Sequence, residues 1–287
     1  MPLCTTGELV ADAASHHGAV VALNVITLEH IEAVIAAAEH VNEPVILQVS
    51  ENAVKFRAGR LHPVAAAAVA AARAGTVPVA LHLDHVKSGE LLRQAADCGF
   101  SSVMFDAAHL SYEENVTATR TAADWAHSNG LWLEAELGEV GGKDGNGPLD
   151  AHAPGARTEP GEARRFVEET GVDALAVAIG SSHAMTTRDA ALDHTLLAAL
   201  HDAVPVPLVL HGSSGVPDAE IRRAVAGGIS KVNIGTALSI AMTGAIRAQL
   251  DADPRGVDPR HYLAAGRRAV TDTVVQLLTT VAAAPVG

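Results

Sequence analysis

The sequence predicts an α/β fold, a (β/α)8 TIM barrel, and three observations carry that expectation. Short runs rich in β-branched residues alternate with longer Ala/Leu-rich segments of helical period. The short runs are almost wholly apolar, which is how parallel strands covered on both faces read. No G-x-G-x-x-G turn follows an early strand, as a doubly wound dinucleotide-binding sheet would require.

Taken in order, an extra helix over Thr5–His16 precedes the first unit. Strands are expected at Val20–Val25, Pro44–Val49, Pro78–Leu83, Ser102–Phe105, Leu131–Leu137, Ala174–Ile179, Pro207–Leu210 and Lys231–Ile234. Between them lie helical segments such as Leu28–His40, Pro63–Ala74, Leu91–Cys98, Tyr112–His127 and Asp218–Ala226. Gly75, Gly99, Gly130, Gly171 and Gly228 stand where helices stop before the next strand. A long helix from about Pro259 to Val281 closes the chain. Eight such units in about 250 residues is the arithmetic of one barrel, so a single domain over residues 1–287 is expected. One stretch breaks the rhythm: Gly138–Thr158, GEVGGKDGNGPLDAHAPGART, is too long for an ordinary connection and reads as an active-site lid after strand five, the alternative being an inert excursion.

Composition narrows the function. The formal net charge is −13, with 20 Lys plus Arg against 33 Asp plus Glu. Nucleic acid and anionic membrane surfaces both need a basic footprint, so neither is an expected partner. With 48% apolar and 18% charged residues the chain is not a disordered one. Aromatics are only 3%, so Ala, Val, Leu and Ile must fill the core. Cys4 and Cys98 have no zinc-type spacing and no disulfide framework. The acidic start does not read as a secretory signal, and the Ala-rich run Val64–Ala72 falls short of a bilayer span; a soluble cytoplasmic protein is expected.

Barrel enzymes work at the C-terminal ends of their strands. Those ends read Asn24, Ser50, Asp84-His85, Asp106, Glu136, His183, His211 and Asn233. His85, His183 and His211 come from strands three, six and seven, and three imidazoles with an open position make a catalytic zinc arrangement. Asp106 and Glu136 could stand behind these ligands or hold a metal in a second position. Of the other histidines among the 15, His82 and His109 lie near the site as supporting residues. His152 rides the long loop, while His16, His17, His30, His40, His62, His127, His194, His201 and His261 read as solvated helix residues. His211-Gly212-Ser213-Ser214-Gly215 and Asn233-Ile234-Gly235-Thr236 follow strands seven and eight, where backbone N–H groups commonly cradle phosphate.

These residues carry a family resemblance. LHLDH (Leu81–His85), SVMFDAAH (Ser102–His109), EAELGEVGG (Glu134–Gly142), AVAIGSSH (Ala176–His183), LVLHGSSG (Leu208–Gly215), KVNIGT (Lys231–Thr236) and DPRHYL (Asp258–Leu263) resemble, in order, the class II ketose-bisphosphate aldolases of fructose and tagatose type. The resemblance implies a zinc-dependent lyase that cleaves a phosphorylated ketose to dihydroxyacetone phosphate and an aldehyde. It implies His85, His183 and His211 as zinc ligands, with Asp106 and Glu136 at an alternate metal position. Asp84 takes the place of the residue that exchanges a proton with the C4 hydroxyl, and Asp144 that of the lid acid, commonly a Glu. Gly212, Ser213, Ser214, Asn233, Ile234, Gly235 and Thr236 match segments gripping dihydroxyacetone phosphate. Arg260 resembles an arginine that reaches the other phosphate across a subunit interface, which implies a homodimer or homotetramer. Whether a monovalent cation assists is left open.

Two departures bear on substrate. Ala184 stands where the family usually has Gly, and Gly235 where many fructose-specific members carry an acid. Another phosphorylated ketose or a deoxygluconate phosphate is therefore an alternative substrate, and a non-catalytic sugar-phosphate-binding relative an alternative role. A lysine Schiff base would also cleave a ketose. Lys231 reads as the start of strand eight, at the bottom of the barrel, and Lys87 lies past strand three, so neither takes that place.

Overall fold

The computed structural model describes residues 3–138 and 157–283. Its eight strands close into one parallel barrel in chain order. They are β1 (Val20–Asn24), β2 (Val45–Ser50), β3 (Val79–Val86), β4 (Ser102–Phe105), β5 (Trp132–Leu137), β6 (Ala174–Val177), β7 (Leu208–Leu210) and β8 (Ile229–Ile234). The helices are α1 (Thr6–Ser15), α2 (Leu28–Val41), α3 (Glu51–Phe56), α4 (His62–Ala74), α5 (Gly89–Gln94) and α6 (Tyr112–Ser128). The second half adds α7 (Pro160–Thr170), α8 (His194–Ala203), α9 (Asp218–Ala226), α10 (Thr236–Ala252) and α11 (Pro259–Ala282). None of the described helices is long and apolar enough to cross a membrane.

The two-residue period of a strand sorts the core. Val21, Leu23, Val45, Leu47, Leu81, Leu83, Leu133, Leu175 and Val232 face outward into the layer shared with the helices. The alternate set points inward. At the N-terminal end it is apolar: Leu9 and Val10 of α1 pack against Val20, Ala22, Ile46 and Ala80, so α1 plugs the bottom of the barrel. Higher up, the inward residues turn polar, with Gln48, His82, Asp84, Ser102, Glu134, Glu136, Lys231 and Asn233 all buried.

Helix ends follow their chemistry. Thr5 caps α1 and Ser111 caps α6, each in a reciprocal box with the glutamate three residues on. Gly171 ends α7 in the left-handed region that an L side chain resists. The expected helix over Leu91–Cys98 is split into α5 and a 3-10 turn at Ala96–Cys98.

Three sequence expectations are corrected, the first being that of His194, which is only 11% exposed, its Nε2 2.9 Å from Glu220 Oε2. His30 is not solvated: with Ile31, Val34 and Ala38 it lies on the buried face of α2, and its Nδ1 is 3.0 Å from the Thr27 hydroxyl. Lys231 is not at the foot of β8, because that strand begins two residues earlier, at Ile229; its side chain is fully buried inside the barrel.

Candidate metal centre and active site

The C-terminal mouth of the barrel holds a cavity of about 320 Å³, of a size that suits a small ligand. Asn24, Ser50, Asp84, His85, Asp106, His183, His211, Gly212, Ser214, Asn233, Gly235 and Thr236, all expected at the site, line it. Glu136 lies just below, within the histidine cluster.

Asp84 and His85 are neighbours in sequence, and in a regular strand they would face opposite sides. The register between β3 and β4 slips between Leu83 and Val86, leaving one extra residue on β3. His85 takes φ 50°, a left-handed conformation costly for a side chain this large. This bulge turns both side chains into one cavity, as bulges beside active sites commonly do.

The three imidazoles meet nearly at right angles. Ring centroids of His85 and His183 are 5.0 Å apart, those of His85 and His211 5.0 Å, and those of His183 and His211 5.6 Å, with interplanar angles of 76°, 85° and 84°. One donor atom each from His85, Glu136, His183 and His211 lies within 4.8 Å of the other three. Among the described residues no other such group of four is formed. Three imidazoles and a carboxylate are the donor set of a borderline cation such as zinc, in contrast to the all-oxygen cages of calcium or magnesium. His211 supplies a direct sign of fit: its Nδ1 is buried with no hydrogen-bond partner and faces Glu136 Oε2 at 3.5 Å.

Each of two rings has a carboxylate at its far nitrogen. Asp106 Oδ2 is 3.0 Å from His85 Nδ1, which places Asp106 behind that ring and outside the four-residue group. Glu134 Oε1 is 2.8 Å from His211 Nε2, and its other oxygen accepts from Lys231 Nζ at 2.7 Å. Burial alone would raise the Glu134 carboxyl, but Lys231 and His211 outweigh it and hold the group well below the usual carboxylate range. His82, 3.9 Å from Glu134, is pushed down to about 3 by burial and by the Lys231 ammonium, so it is neutral; its Nδ1 pairs with the Ser102 hydroxyl at 2.8 Å.

On the other wall, Gly212 sits at φ 66° with a 3-10 turn starting at Ser213, and α10 starts at Thr236. The Ser214 hydroxyl accepts from the Ala237 N–H at 3.1 Å, tying the two loops together.

Several expected residues stand elsewhere. Ser213 is buried and donates to the Leu210 carbonyl, and Ile234 is packed in the outer core, so neither side chain lines the cavity. The Arg260 guanidinium is 87% exposed and bound to Asp258 at the start of α11, away from the lining. His183 lies on the loop six residues past β6 instead of at its tip. Asp144 and His152 lie outside the described residues, as does most of the expected lid; its far end is anchored where Thr158 donates to Leu137 O at 2.6 Å.

Sequence reasoning missed Gln48, Glu134 and Lys231. A signal was present: each is a polar or charged residue inside an otherwise apolar strand, and Glu134 shares the inward face with Glu136 two residues on. Lys55, Lys87, Glu51 and Ser239 at the rim were also missed.

Comparison with known proteins agrees with this geometry. The family model for class II fructose-bisphosphate aldolase matches residues 4–284. The YdjI aldolase of Escherichia coli K12 is similar over 98% of both chains, with 34% identity and a TM-score of 0.85. A candidate fructose-1,6-bisphosphate aldolase of Coccidioides immitis shares 30% identity over 97% of this chain and 96% of its own, with a TM-score of 0.84. The fructose-bisphosphate aldolase of Campylobacter jejuni shares 25% identity over 99% and 97%, with a TM-score of 0.82. With its closed barrel, histidine cluster and near-complete match, the chain belongs to the class II fructose-bisphosphate aldolase family of lyases.

Proposed function

We propose that the protein catalyses the reversible aldol cleavage of a ketose 1,6-bisphosphate, of fructose or tagatose configuration, to dihydroxyacetone phosphate and an aldehyde phosphate. The observation that carries this reading is the juxtaposition of the histidine–Glu136 group with Asp84 in one cavity. His85, His183 and His211 would hold zinc, with Glu136 as a further ligand. When bound, zinc acts as a Lewis acid at the substrate carbonyl and stabilises the negative charge left by C–C cleavage.

Asp84 does the proton work at the other side of the bond. Its Oδ1 is buried and has no hydrogen-bond partner, so it can accept the C4 hydroxyl proton and return it in condensation. The loops at Gly212–Ser214 and Gly235–Thr236 would grip the phosphate next to the carbonyl through backbone N–H groups. Asp144 would exchange the proton at the carbon left behind, and Arg260 from a neighbouring subunit would take the second phosphate in a homodimer or homotetramer.

One observation favours a second reading, in which the substrate is another phosphorylated ketose. A Cβ on Gly235 would stand 3.1 Å from the Asn24 side chain, so the acid common in fructose-specific relatives has no ready place here. A panel of ketose bisphosphates and monophosphates, assayed by triose phosphate release, tests both readings. Chelation should abolish turnover and zinc restore it; turnover that survives chelation, with borohydride trapping of substrate, would overturn the metal mechanism. The highest kcat/KM for a monophosphate would select the second reading.

A further inference from the structure

We propose that Glu134 and Lys231, sealed inside the barrel beneath the site, form a positioning unit that locks His211 as its Nε2–H tautomer and so sets the affinity of the metal centre. This rests on reading the His85–Glu136–His183–His211 group as a metal site.

An imidazole that is to donate its Nδ1 lone pair must carry its proton on Nε2. Free in water the two tautomers interconvert, so a site that fails to choose one loses part of its ligand strength. Glu134 Oε1 lies 2.8 Å from Nε2, the nitrogen facing away from the cluster, and a carboxylate there can only accept. Lys231 Nζ, 2.7 Å from Oε2, keeps that carboxylate charged and in place. Both side chains are fully buried, where an unpaired charge is costly, so neither can swing away without exposing the other to apolar surroundings. His82 crowds the same carboxylate at 3.9 Å, and through Ser102 the chain of contacts reaches Thr6 on α1.

The neighbouring amide must conform to this choice. Asn233 Nδ2 lies 2.9 Å from His211 Nε2, where two donors would oppose each other. Turning the amide end for end places its oxygen there, which satisfies the Nε2 proton from a second side and relieves the otherwise unpartnered, buried Oδ1. All groups around Nε2 then agree on one tautomer. Neither Glu134 nor Lys231 lines the cavity, so the pair acts only through His211.

The test compares two double variants that both remove the buried charges. In E134Q/K231M the amide oxygen can still accept from Nε2; in E134M/K231M only the Asn233 amide remains there, and it can turn to suit either tautomer and so selects neither. Zinc affinity is measured by competition with a chromophoric chelator, alongside far-UV circular dichroism. The expected result is a loss of about 10–100-fold for E134M/K231M, the usual scale for removing a carboxylate behind a ligating histidine, and a change within about threefold for E134Q/K231M. Equal zinc affinity of folded E134M/K231M and the parent protein would overturn the proposal, as would equal losses in both variants. Should E134M/K231M not fold, nitrogen-15 NMR of the metal-free parent, with His211 assigned through His211→Gln, decides. An Nε2–H signal upholds the lock, while an Nδ1–H or averaged signal overturns it. Absence of zinc binding by the parent protein itself would instead bring down the metal reading, a separate failure.

Discussion

Gly212 offers a measurement in which the structure supplies both the perturbation and its control. At φ 66° its backbone occupies the left-handed region, and a Cβ built there would lie 2.6 Å from the carbonyl carbon and oxygen of Ser182. Two costs add in Gly212→Ala. The conformational cost for an L residue is about 1–2 kcal/mol, reduced by roughly 0.4–1 kcal/mol because glycine is the floppier residue when unfolded. The steric cost comes from backbone, which cannot rotate aside as a side-chain end can. The loops after β6 and β7 must part by roughly 0.8 Å to restore ordinary contact, and overpacking on that scale costs about 1–3 kcal/mol.

Gly130 isolates the first cost. It has φ 71° but nothing within 4 Å of its would-be Cβ, so Gly130→Ala should lose only about 1 kcal/mol. Gly212→Ala should lose about 2–4 kcal/mol. Thermal unfolding in the presence of chelator separates them, since about 2–4 °C of Tm accompanies each kcal/mol at this chain length. The parting loops carry His183 and His211, so zinc affinity should fall in Gly212→Ala and stay constant in Gly130→Ala. Equal destabilisation by the two substitutions would refute the claim that backbone contact at Ser182 demands glycine.

Three further outcomes are expected. Ala184 has φ 57°, so Ala184→Gly should leave Tm unchanged or raise it, at about 0.5–1 kcal/mol of stabilisation, against the usual penalty for glycine; a drop in Tm would contradict the strain. Asp84→Ala should abolish triose phosphate release while zinc remains bound, as read by metal analysis of the folded protein; undiminished turnover would remove Asp84 from the proton transfer. Burial lowers the His30 imidazole, with Glu29 only partly offsetting it. The folded chain thus binds that proton less readily than the unfolded chain, whose histidine titrates near about 6.5. Its contribution is complete above that value and is lost as the pH falls below it. Urea midpoints at about pH 7 and pH 5 should differ less in His30→Leu than in the parent protein, and an unchanged difference would exclude His30 as a source.

The barrel was legible because its strands break a simple rule uniformly. Apolar residues on both faces, as in Val79–Leu81 or Leu208–Leu210, leave parallel pairing inside a helical shell as the main solution. Most of the site was legible for a related reason: an apolar strand that ends on Asp, Glu, His or Asn has no structural need to do so. What stayed hidden depended on pairing across the barrel. Lys231 and Glu134 stand 97 positions apart, and a charged residue inside an apolar run looks like the edge of a strand until its partner is seen. His30 was misplaced because a short helix stripe leaves one polar position ambiguous between flank and core. The bulge at Asp84-His85 left no mark in composition, since a one-residue register slip shows only once β3 is paired with β4.

The buried ion pair also resolves how so acidic a chain can serve an anionic substrate. Of the four lysines, Lys231 adds nothing to the net field at the mouth, because Glu134 cancels it at 2.7 Å. Lys55 and Lys87 line the cavity with Glu51, while the buried Asp84, Asp106 and Glu136 stand around the three imidazoles, a local carboxylate excess that attracts a divalent cation. On that charge balance the expected order is cation first and phosphorylated substrate second. Substrate binding to the metal-free protein should then be weak at low ionic strength and improve as salt screens the carboxylates. In the zinc-loaded protein that trend should shrink or reverse. Calorimetry with inorganic phosphate at two salt concentrations, with and without zinc, reads the sign directly, and tighter phosphate binding by the metal-free protein at low salt would contradict the argument.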